Sequence, residues 1–391
     1  MTPGEATRDP APTRLPGAPP PRAVPPWVLY VDLDAYYVSC ELRSRPDLVG
    51  RPVIVGPPPA EGPSRGVVLS ASYEARKFGV HSALPAATAA RLCPDAVWIP
   101  PDFPKYEATA RDVRALLERH GTRVVPYSID EAVVLVPAAS AVEAGERARA
   151  IQEALRRELS LPSSIGVSTS RVVAKVASDR AKPGGVVVVP ADGIAEFLAP
   201  LPVRAIPGVG PKTEALLRAR GVETVGELAS HSASEFVRPL GHFANELVRL
   251  ARGRPVEPLE EGAGPRSRST DHTFVSDVDQ WSPLESTVRT LSESLASTLE
   301  KEGLRYGAVG VGFRWADLSR SQRSRALAAA REGSAPMIAA AERLARELWE
   351  TEGSQGRRLV RTVSVRAERL VPRTQRQRLL EGYTAASPDI K

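Results

Sequence analysis

The sequence predicts an α+β protein built from several domains, and three observations support this. Between residues 102 and 190, helical periodicity alternates with short β-branched runs typical of strands. Residues 191–260 show short helical patterns separated by glycines, and residues 268–372 follow the order strand, helix, strand, strand, helix, strand. We therefore expect a ferredoxin-like sheet domain, a helical region and a C-terminal βαββαβ domain.

Bulk composition is that of an ordinary soluble chain. The 391 residues are 42% hydrophobic and 25% charged, which leaves ample chain for several cores. The net charge of +6 fits a polyanionic partner without requiring one. Cys40 and Cys93 form no disulfide or zinc framework, no apolar run is long enough to span a membrane, and the N-terminus lacks a hydrophobic signal core. We expect a reducing, cytoplasmic location.

The individual elements follow from periodicity and from glycine and proline punctuation. Residues 1–26 are rich in Pro, Gly, Ala and Arg, so we expect a disordered tail, with order beginning at Trp27. Residues 261–267 have linker composition. The predicted helices are 104–120, 141–159, 171–181, 211–220, 284–302 and 335–352. The predicted strands lie at 28–31, 51–56, 66–70, 132–136, 165–167 and 186–189, and centre on Thr273, Val311, Leu327 and Val363.

Two carboxylate clusters are the strongest functional signal. Asp32 and Asp34 lie in Val-Asp-Leu-Asp-Ala-Tyr-Tyr, and Asp130 and Glu131 lie in Tyr-Ser-Ile-Asp-Glu-Ala. Both follow or lie in strand-like runs, so the acids should project from the end of a sheet. Several carboxylates from two distant segments form a hard-oxygen site suited to Mg²⁺, and two such ions can clamp the oxygens of a phosphoryl transfer. The alternative is a pair of unrelated acidic turns.

Two basic motifs lie between and after the acids. Tyr73 and Arg76 are three residues apart on a predicted helix and share a face that can bind phosphate oxygens. Lys175, Asp179 and Lys182 share a face of the helix 171–181, and Lys182 ends it, free to reach a triphosphate. Each motif could instead be a solvated, salt-bridged helix face.

Two further segments suit nucleic-acid backbone. In Ile206–Lys212, Gly208 and Gly210 form a hairpin before Pro211, a good first helical residue, so backbone N–H groups and Lys212 face outward. This resembles a helix-hairpin-helix; an ordinary αα-turn is the alternative. In Arg361–Arg366 the side chains alternate between sheet faces, so basic and polar groups on one face can track phosphates or simply be solvated.

In this order the motifs resemble a Y-family translesion DNA polymerase of the DinB type, over about residues 27–370. The resemblance rests on VDLDAYY, ASYEARKFGV, SIDEA, AKVASDRAKPGG and IPGVGPKT. It implies a template-directed DNA polymerase without proofreading that adds deoxynucleotides to a primer 3′-end. It also implies a palm (27–36 and 102–190), fingers (37–101), a thumb (191–260), a linker (261–267), a little finger (268–372) and a flexible tail (373–391).

The resemblance also implies roles for individual residues. Asp32, Asp130 and Glu131 would hold two Mg²⁺ ions, with the Leu33 carbonyl completing one shell. The implied nucleotide contacts are Tyr36, Tyr37, Tyr73, Arg76 and Lys182, with Tyr37 as the steric gate against the ribose 2′-hydroxyl. Gly208, Gly210 and Lys212 would contact DNA. Asp34 matches a family acid, but we do not count it as a ligand.

The chain departs from the family at a few positions, and other functions remain open. Leu69 is larger than the residue many relatives have near the nascent base pair, and Val133-Val134 replaces an aromatic-aliphatic pair. A catalytically silent, DNA-bound adaptor should lack a metal carboxylate, and a nucleotidyl cyclase would need neither the hairpin nor the basic C-terminal domain. We expect a monomer. The segment Gln375–Leu380 is a candidate sliding-clamp peptide without the usual terminal aromatic.

Overall fold

The computed structural model describes residues 26–58, 65–254, 265–354 and 358–374. The chain divides into two compact units, residues 1–260 and 261–391. The predictions made for residues 1–25, for the linker residues 261–264 and for Gln375–Leu380 lie outside the described residues. Among the described residues, no helix has both the length and the apolar character needed to cross a membrane.

A five-stranded sheet organises the first unit. The strands of this unit are β1 Trp27–Leu33, β2 Val53–Val55, β3 Ser70–Ala71, β4 Val97–Ile99, β5 Arg123–Pro126, β6 Glu131–Val136, β7 Ser163–Ser168 and β8 Val186–Val189. The main sheet has the order β5-β6-β1-β7-β8. Its central strand, β1, is antiparallel to both neighbours and buried along its whole length, whereas β7 and β8 are parallel. Such a strand is apolar on both faces because both faces are covered.

Helices cover both faces of this sheet. The helices of the first unit are α1 Tyr36–Leu42, α2 Tyr73–Arg76, α3 Ala86–Leu92, α4 Phe103–His120, α5 Ala141–Leu159, α6 Arg171–Ala181, α7 Ile194–Leu198, α8 Pro211–Arg218, α9 Val225–Ser230, α10 Ser234–Leu240 and α11 Phe243–Ala251, with 3₁₀ turns at Pro46–Leu48, Ala191–Gly193 and Val203–Ala205. Leu29 and Val31 belong to the core that includes α4 and α5, whereas Val28 and Tyr30 pack with Ala174 of α6. The predicted bounds of α5 and α6 are confirmed, and α4 begins one residue earlier than predicted.

The small sheet β3-β2-β4 lies between α1 and α4 in the chain. The predicted strand at 66–70 is wrong in extent: the structure has an isolated bridge between Val67 and Pro85 and a two-residue strand at Ser70–Ala71. Ser72 ends the strand at Ala71, because its hydroxyl caps α2 by accepting from the Ala75 N–H. Strand β4 carries no alternation of polar and apolar residues and was not predicted.

Short helices follow the sheet and form their own core with one face of α6. Buried positions of this core include Val173, Val203, Leu217, Phe236 and Leu247. The predicted helix after Pro211 is confirmed but ends at Arg218, and Gly221 has the positive φ of +75° that lets the chain leave the helix.

The second unit confirms the predicted strand-helix order. Its elements are β9 Ser267–Val278, α12 Trp281–Lys301, β10 Leu304–Trp315, β11 Arg320–Arg331, α13 Ser334–Leu348, a π-helical turn Trp349–Ser354, β12 Val360–Glu368 and β13 Val371–Pro372. The sheet order is β11-β10-β12-β9, and α12 and α13 share a core with one face. Two details differ from the prediction. The helix predicted to end at residue 352 ends at Leu348, where the π-helical turn follows. The predicted linker, residues 261–267, includes the first residue of β9, Ser267.

Candidate active site

Asp32 and Glu131 are directly opposite each other on neighbouring strands. They are Cα partners in the antiparallel register of β1 and β6, at the end of β1 and the start of β6. The Leu33 N–H donates to the Asp130 carbonyl at 2.9 Å, which extends the pairing past the last strand residue. Asp32 is buried, with 2% of its surface exposed. The fold therefore brings the two distant acid clusters of the sequence together, as predicted.

Asp130 lies in the tight turn that joins β5 to β6. The N–H groups of Tyr127 and Ser128 both donate to the Glu131 carbonyl, at 2.9 and 3.2 Å. The Ser128 hydroxyl donates to Asp130 Oδ1 at 2.5 Å and lies 3.4 Å from Glu131 Oε2. Ser128 thus links the two adjacent carboxylates of the turn. Sequence reasoning did not single it out, although a serine hydroxyl often accepts from a nearby backbone N–H, as Ser128 does from the Asp130 N–H at 3.3 Å.

The Lys175 ammonium is a cation bound between the two strands. Its Nζ lies 3.0 Å from Asp32 Oδ2, 2.5 Å from Glu131 Oε1 and 3.0 Å from Asp179 Oδ1. Burial disfavours its charge, but the hydrogen bond to Glu131 and the Asp32 carboxylate outweigh burial and raise the pKa of Lys175 above its usual range. The shared face of Lys175 and Asp179 is confirmed. Membership of Lys175 in the acid cluster was missed, because it depends on the packing of α6 against β1.

Lys182 forms an ion pair with an acid of the cluster. Its Nζ lies 2.8 Å from Asp32 Oδ2 and 3.9 Å from Asp179 Oδ1. The expectation that Lys182 ends the helix is confirmed, since it is the C-cap of α6. Lys182 meets Asp32 because the start of α6 packs against β1, which brings the end of the helix to this acid; its contact with a triphosphate stays a prediction.

The donor set suits a divalent cation. Two carboxylates already converge on a cation at Lys175, and Ser128 links the third, so the oxygens are hard ligands around a shared positive charge. Within the described ranges, no three His, Cys, Asp or Glu side chains are clustered as a ready-made metal cage. The reason is visible in the bonds: the Asp130 carboxylate is turned onto Ser128, and the other two acids are held by lysine.

Asp34 lies apart from this cluster although it is only two residues from Asp32. Its carboxylate accepts hydrogen bonds from the Tyr73 hydroxyl at 3.1 Å, the Ser164 hydroxyl at 3.0 Å and the Gly184 N–H at 2.9 Å. It was not counted as a metal ligand, and its partners here are all neutral donors.

Tyr73 and Arg76 share one face of α2, as predicted. The Arg76 guanidinium lies 4.6 Å from the centre of the Tyr73 ring, a cation–π distance. Arg76 Nε donates to the Ala71 carbonyl at 3.0 Å, which leaves the other nitrogens of its fork for a ligand. Burial and the neighbouring Asp34 carboxylate raise the pKa of Tyr73 to about 12, so its hydroxyl keeps its proton at neutral pH.

The two tyrosines after β1 have different surroundings. Tyr36 is buried in the core and its hydroxyl donates to the Tyr106 carbonyl at 2.7 Å, so any nucleotide contact of Tyr36 would have to come from its main chain. Tyr37 is partly exposed, and its ring centre lies 4.7 Å from that of Tyr106 and 6.5 Å from that of Phe103. Burial and the nearby Asp130 raise the pKa of Tyr37. Tyr37 therefore lies at the edge of the core, with one side available to a ligand.

The hairpin before α8 has the geometry of a backbone-binding turn. Gly208 has a φ of +93°, and a Cβ there would lie 3.2 Å from the Phe243 ring. Arg204 donates to the Val209 carbonyl at 3.0 Å and holds the turn closed. Gly210 precedes α8, Pro211 is its first residue and Lys212 is exposed beside the helix N-terminus. These groups suit contact with a phosphate.

The open sheet face of the second unit is polar and basic. Val363 and Val365 point into the core, whereas Thr362, Ser364 and Arg366 alternate onto the other face, as the sequence pattern predicted. These three side chains also line a groove on that face. The other polar and charged groups in its lining include Asp271, Thr273, Arg314, Arg320 and Gln322.

Comparison with known proteins gives a consistent result along the chain. Residues 31–179 match the impB/mucB/samB family, residues 265–380 match the C-terminal domain of that family, and residues 191–222 match the IMS family HHH motif. A DNA polymerase IV of Methanoculleus marisnigri is 40% identical over 301 residues, which cover 77% of this chain and 84% of the relative. A DNA polymerase IV 2 of Methanosarcina mazei is 35% identical over 359 residues, 91% of this chain and 95% of the relative.

Solved structures share the fold. A chimera of the Y-family DNA polymerases Dbh and Dpo4 superposes with a TM-score of 0.78 at 24% identity, covering 88% of this chain and 99% of that one. DinB from Sulfolobus solfataricus superposes with a TM-score of 0.59 at 24% identity, with the same coverage. At this identity the likeness establishes the fold alone.

An acid-bearing sheet, a helix-hairpin-helix and a separate βαββαβ unit, together with the matches to the family models and to the DNA polymerase IV relatives, define a polymerase of the Y-family, DinB type. The chain belongs to the DNA polymerase IV family. This membership makes it a DNA-directed DNA polymerase of the translesion type, and it implies a divalent metal cofactor.

Proposed function

We propose that the chain extends a primer 3′-end with deoxynucleotides by means of two Mg²⁺ ions, held by Asp32, Asp130, Glu131 and the Leu33 carbonyl. The observation that carries this proposal is the pairing of Asp32 with Glu131 across β1 and β6, with Asp130 adjacent in the turn. When bound, the ions activate the 3′-hydroxyl and stabilise the pyrophosphate leaving group.

The lysines beside the acids have a role that follows from their contacts. Lys175 and Lys182 balance the charge of Asp32 and Glu131, whose carboxylates would otherwise repel each other across the strand pair. Lys182 is half-exposed and caps the end of α6, so its flexible stem can turn from Asp32 to a triphosphate. Tyr73 and the free nitrogens of Arg76 complete the set of triphosphate contacts.

Tyr37 is the residue we assign to sugar selection. Its ring is supported on one side by Tyr106 and Phe103, so it resists displacement by an incoming sugar. A supported ring beside the sugar excludes a 2′-hydroxyl by contact, because a close-packed site does not absorb an extra oxygen without strain.

DNA binding falls to the two surfaces described above. Gly208, Gly210 and Lys212 offer backbone N–H groups and a cation to phosphates, and the face of β12 with Arg366 offers a second basic surface. Both surfaces offer groups that bind phosphates, so the binding is expected to depend on the DNA backbone rather than on sequence.

The domain assignment is part of the same proposal. We assign residues 27–36 and 102–190 to the palm, 37–101 to the fingers, 191–260 to the thumb and 268–372 to the little finger. Primer-template DNA and deoxynucleoside triphosphates are the proposed partners, with the chain acting as a monomer in the cytoplasm and Gln375–Leu380 as a candidate contact for a sliding clamp.

A primer-extension assay with Mg²⁺ tests the proposal, with Asp130→Asn as the diagnostic variant. Asparagine keeps the size of the side chain but removes a charge, so extension should fall by orders of magnitude while affinity for primer-template stays near that of the unmodified protein. Absence of extension by the unmodified chain, or near-normal extension by Asp32→Asn and Asp130→Asn proteins, would overturn the assignment. Extension lost together with DNA binding would indicate misfolding instead.

A further inference from the structure

The carboxylate of Asp34 is a buried acid beside the metal cluster that the metal proposal leaves unused. Only 2% of the residue is exposed. Oδ1 accepts from the Tyr73 hydroxyl at 3.1 Å and Oδ2 accepts from the Gly184 N–H at 2.9 Å, while the Ser164 hydroxyl lies 3.0 Å from both oxygens. A buried carboxylate must be satisfied by hydrogen bonds, and this one is.

These donors come from three separate segments of the chain. Tyr73 belongs to α2, Ser164 to β7 and Gly184 to the turn that follows α6. The Gly184 N–H also lies 3.0 Å from the Ser164 hydroxyl, so the turn is bound to both side chains. Two of the three segments carry proposed triphosphate contacts, because Tyr73 is one itself and Lys182 lies two residues before Gly184.

The backbone explains why Asp34 points away from Asp32. Residues two apart on a strand lie on the same face, so Asp32 and Asp34 would share a face if β1 continued. It ends at Leu33, and Ala35 has a φ of +45°, where the chain turns into α1. Among the described residues, no lysine or arginine forms an ion pair with Asp34, so its partners differ from those of Asp32.

We propose that Asp34 is a positioning residue that fixes Tyr73 of α2 and the Lys182–Gly184 turn in one geometry, and thereby sets the affinity for the incoming nucleotide. This inference rests on the proposed function, since it concerns the nucleotide of that reaction. Asp34 touches neither the nucleotide nor a metal ion in this role; it acts through Tyr73 and the turn.

The hydroxyl of Tyr73 shows how Asp34 can position a group that contacts the nucleotide. It has a single proton, which it can donate to Asp34 or to a phosphate oxygen but not to both at once. Asp34 holds the ring in place until a nucleotide arrives, and the ring in turn supports the Arg76 guanidinium at 4.6 Å. Loss of the carboxylate should therefore loosen Tyr73, Arg76 and the turn together, while Asp32, Asp130 and Glu131 keep their contacts.

Single-nucleotide insertion by an Asp34→Asn variant tests the proposal. Loss of a residue that supports a binding group typically lowers affinity or activity by about 10-fold or more. We therefore expect KM for the deoxynucleotide to rise roughly 10-fold, with kcat changed by less than about 3-fold. The Mg²⁺ concentration for half-maximal rate should stay unchanged. The Tyr73→Phe change should raise KM in the same direction. An asparagine at residue 34 has one acceptor oxygen for the Tyr73 hydroxyl and the Gly184 N–H, so both changes disturb the contact between Tyr73 and Asp34, and their effects on KM should be less than additive.

Two serines provide a matched test and control. Ser164→Ala removes a hydroxyl from the Asp34 carboxylate and should raise KM, whereas Ser39→Ala removes a hydroxyl that donates to the Asp34 carbonyl at 2.7 Å and should not. If Asp34→Asn does not fold, the comparison of Ser164→Ala with Ser39→Ala carries the test.

The outcomes separate the possible roles. A metal ligand would show kcat reduced by orders of magnitude and a shifted Mg²⁺ dependence, and this result would overturn the proposal. A merely structural residue would lower the melting temperature and the active fraction with KM unchanged, which would also overturn it. Failure of the unmodified chain to extend a primer would refute the proposed function first, and nucleotide binding with Ca²⁺ in place of Mg²⁺ would then test Asp34 separately.

Discussion

The carboxylate of Glu41 and the hydroxyl of Tyr106 form a buried hydrogen bond of 2.9 Å between α1 and α4. Glu41 is 2% exposed, and its Oε2 also forms an ion pair with the Lys105 Nζ at 2.7 Å. Tyr106 in turn supports Tyr37 by ring contact and binds the Tyr36 hydroxyl through its carbonyl. The proposed steric gate is therefore backed by a charged group that does not reach the nucleotide.

The first prediction concerns this backing. Tyr106→Phe removes only the hydroxyl, so the ring loses its tether to Glu41 but keeps its contact with Tyr37. A hydrogen bond to a charged group contributes about 1.5–3 kcal/mol to stability, and the contact with the Tyr37 ring remains, so discrimination against ribonucleotides should relax by only roughly 2- to 10-fold. Insertion of matched ribo- and deoxynucleotides measures the ratio. The control is Arg43→Met, which removes the hydrogen bond of 3.1 Å from Arg43 to Thr109 between the same two helices. An equal change of the ribo-to-deoxynucleotide ratio in both variants would mean that helix packing, and not support of the Tyr37 ring, is responsible.

The second prediction concerns the gate itself. Tyr37→Ala removes the ring that would meet the 2′-hydroxyl, so ribonucleotide insertion should increase far more than deoxynucleotide insertion falls. Its effect on the ratio should exceed that of Tyr106→Phe, because the whole obstacle is lost and not only its support. The measurement is the same single-nucleotide assay with both sugars.

Tyr37 also packs against the core, which gives a contrary expectation for the same variant. If the ring served only packing, truncation would cost about 3–5 kcal/mol of unfolding free energy and reduce both insertions together. An unchanged ratio with lowered stability would therefore remove Tyr37 from sugar selection.

The sequence predicted the long helices well and the acid site in part. The helices α4, α5 and α6 have clear periodicity and clear ends, at Gly121 for α4 and Pro183 after α6, so local rules suffice. The short strands β3 and β4 pair over two or three residues, too few for a pattern, so their extent depends on tertiary pairing.

Side-chain partners were harder to predict than elements. Lys182 could reach several groups from the end of α6, and only the packing of α6 against β1 selects Asp32. Tyr36 and Tyr37 are adjacent in the sequence, but α1 turns the first into the core and leaves the second at its edge. Spacing alone does not distinguish such neighbours, because the direction of the helix decides which one is buried.

The third prediction concerns Lys175. Lys175→Met removes the cation shared by Asp32 and Glu131 and leaves Lys182, which contacts Asp32, to balance the two carboxylates. Breaking a buried ion pair costs about 3–5 kcal/mol, and the lower end applies here because the Lys175 side chain is 19% exposed. In a chelating buffer the variant should therefore unfold at a lower temperature than the unmodified protein.

A divalent ion should reverse this loss. Because the ion binds the folded state and replaces the missing positive charge, added Ca²⁺ should raise the melting temperature of Lys175→Met more than that of the unmodified protein. Arg157→Met removes a cation from an exposed ion pair on α5 and serves as the control, with little change expected in either buffer. Equal Ca²⁺ responses in all three proteins would contradict a shared role of Lys175 and the ion.

The last prediction concerns DNA affinity. If the hairpin and the second unit bind only phosphates, the logarithm of the affinity should fall linearly with the logarithm of salt concentration, by about 0.9 per phosphate contacted, and unrelated primer-templates should give the same line. Lys212→Ala should weaken binding to every sequence alike and reduce the slope by about 1. Lys301→Ala removes the same charge at the end of α12, in the helical layer of the second unit, and should leave the slope unchanged. A slope unaffected by Lys212→Ala would mean that this lysine meets no phosphate, and the hairpin would then contact DNA through its N–H groups alone.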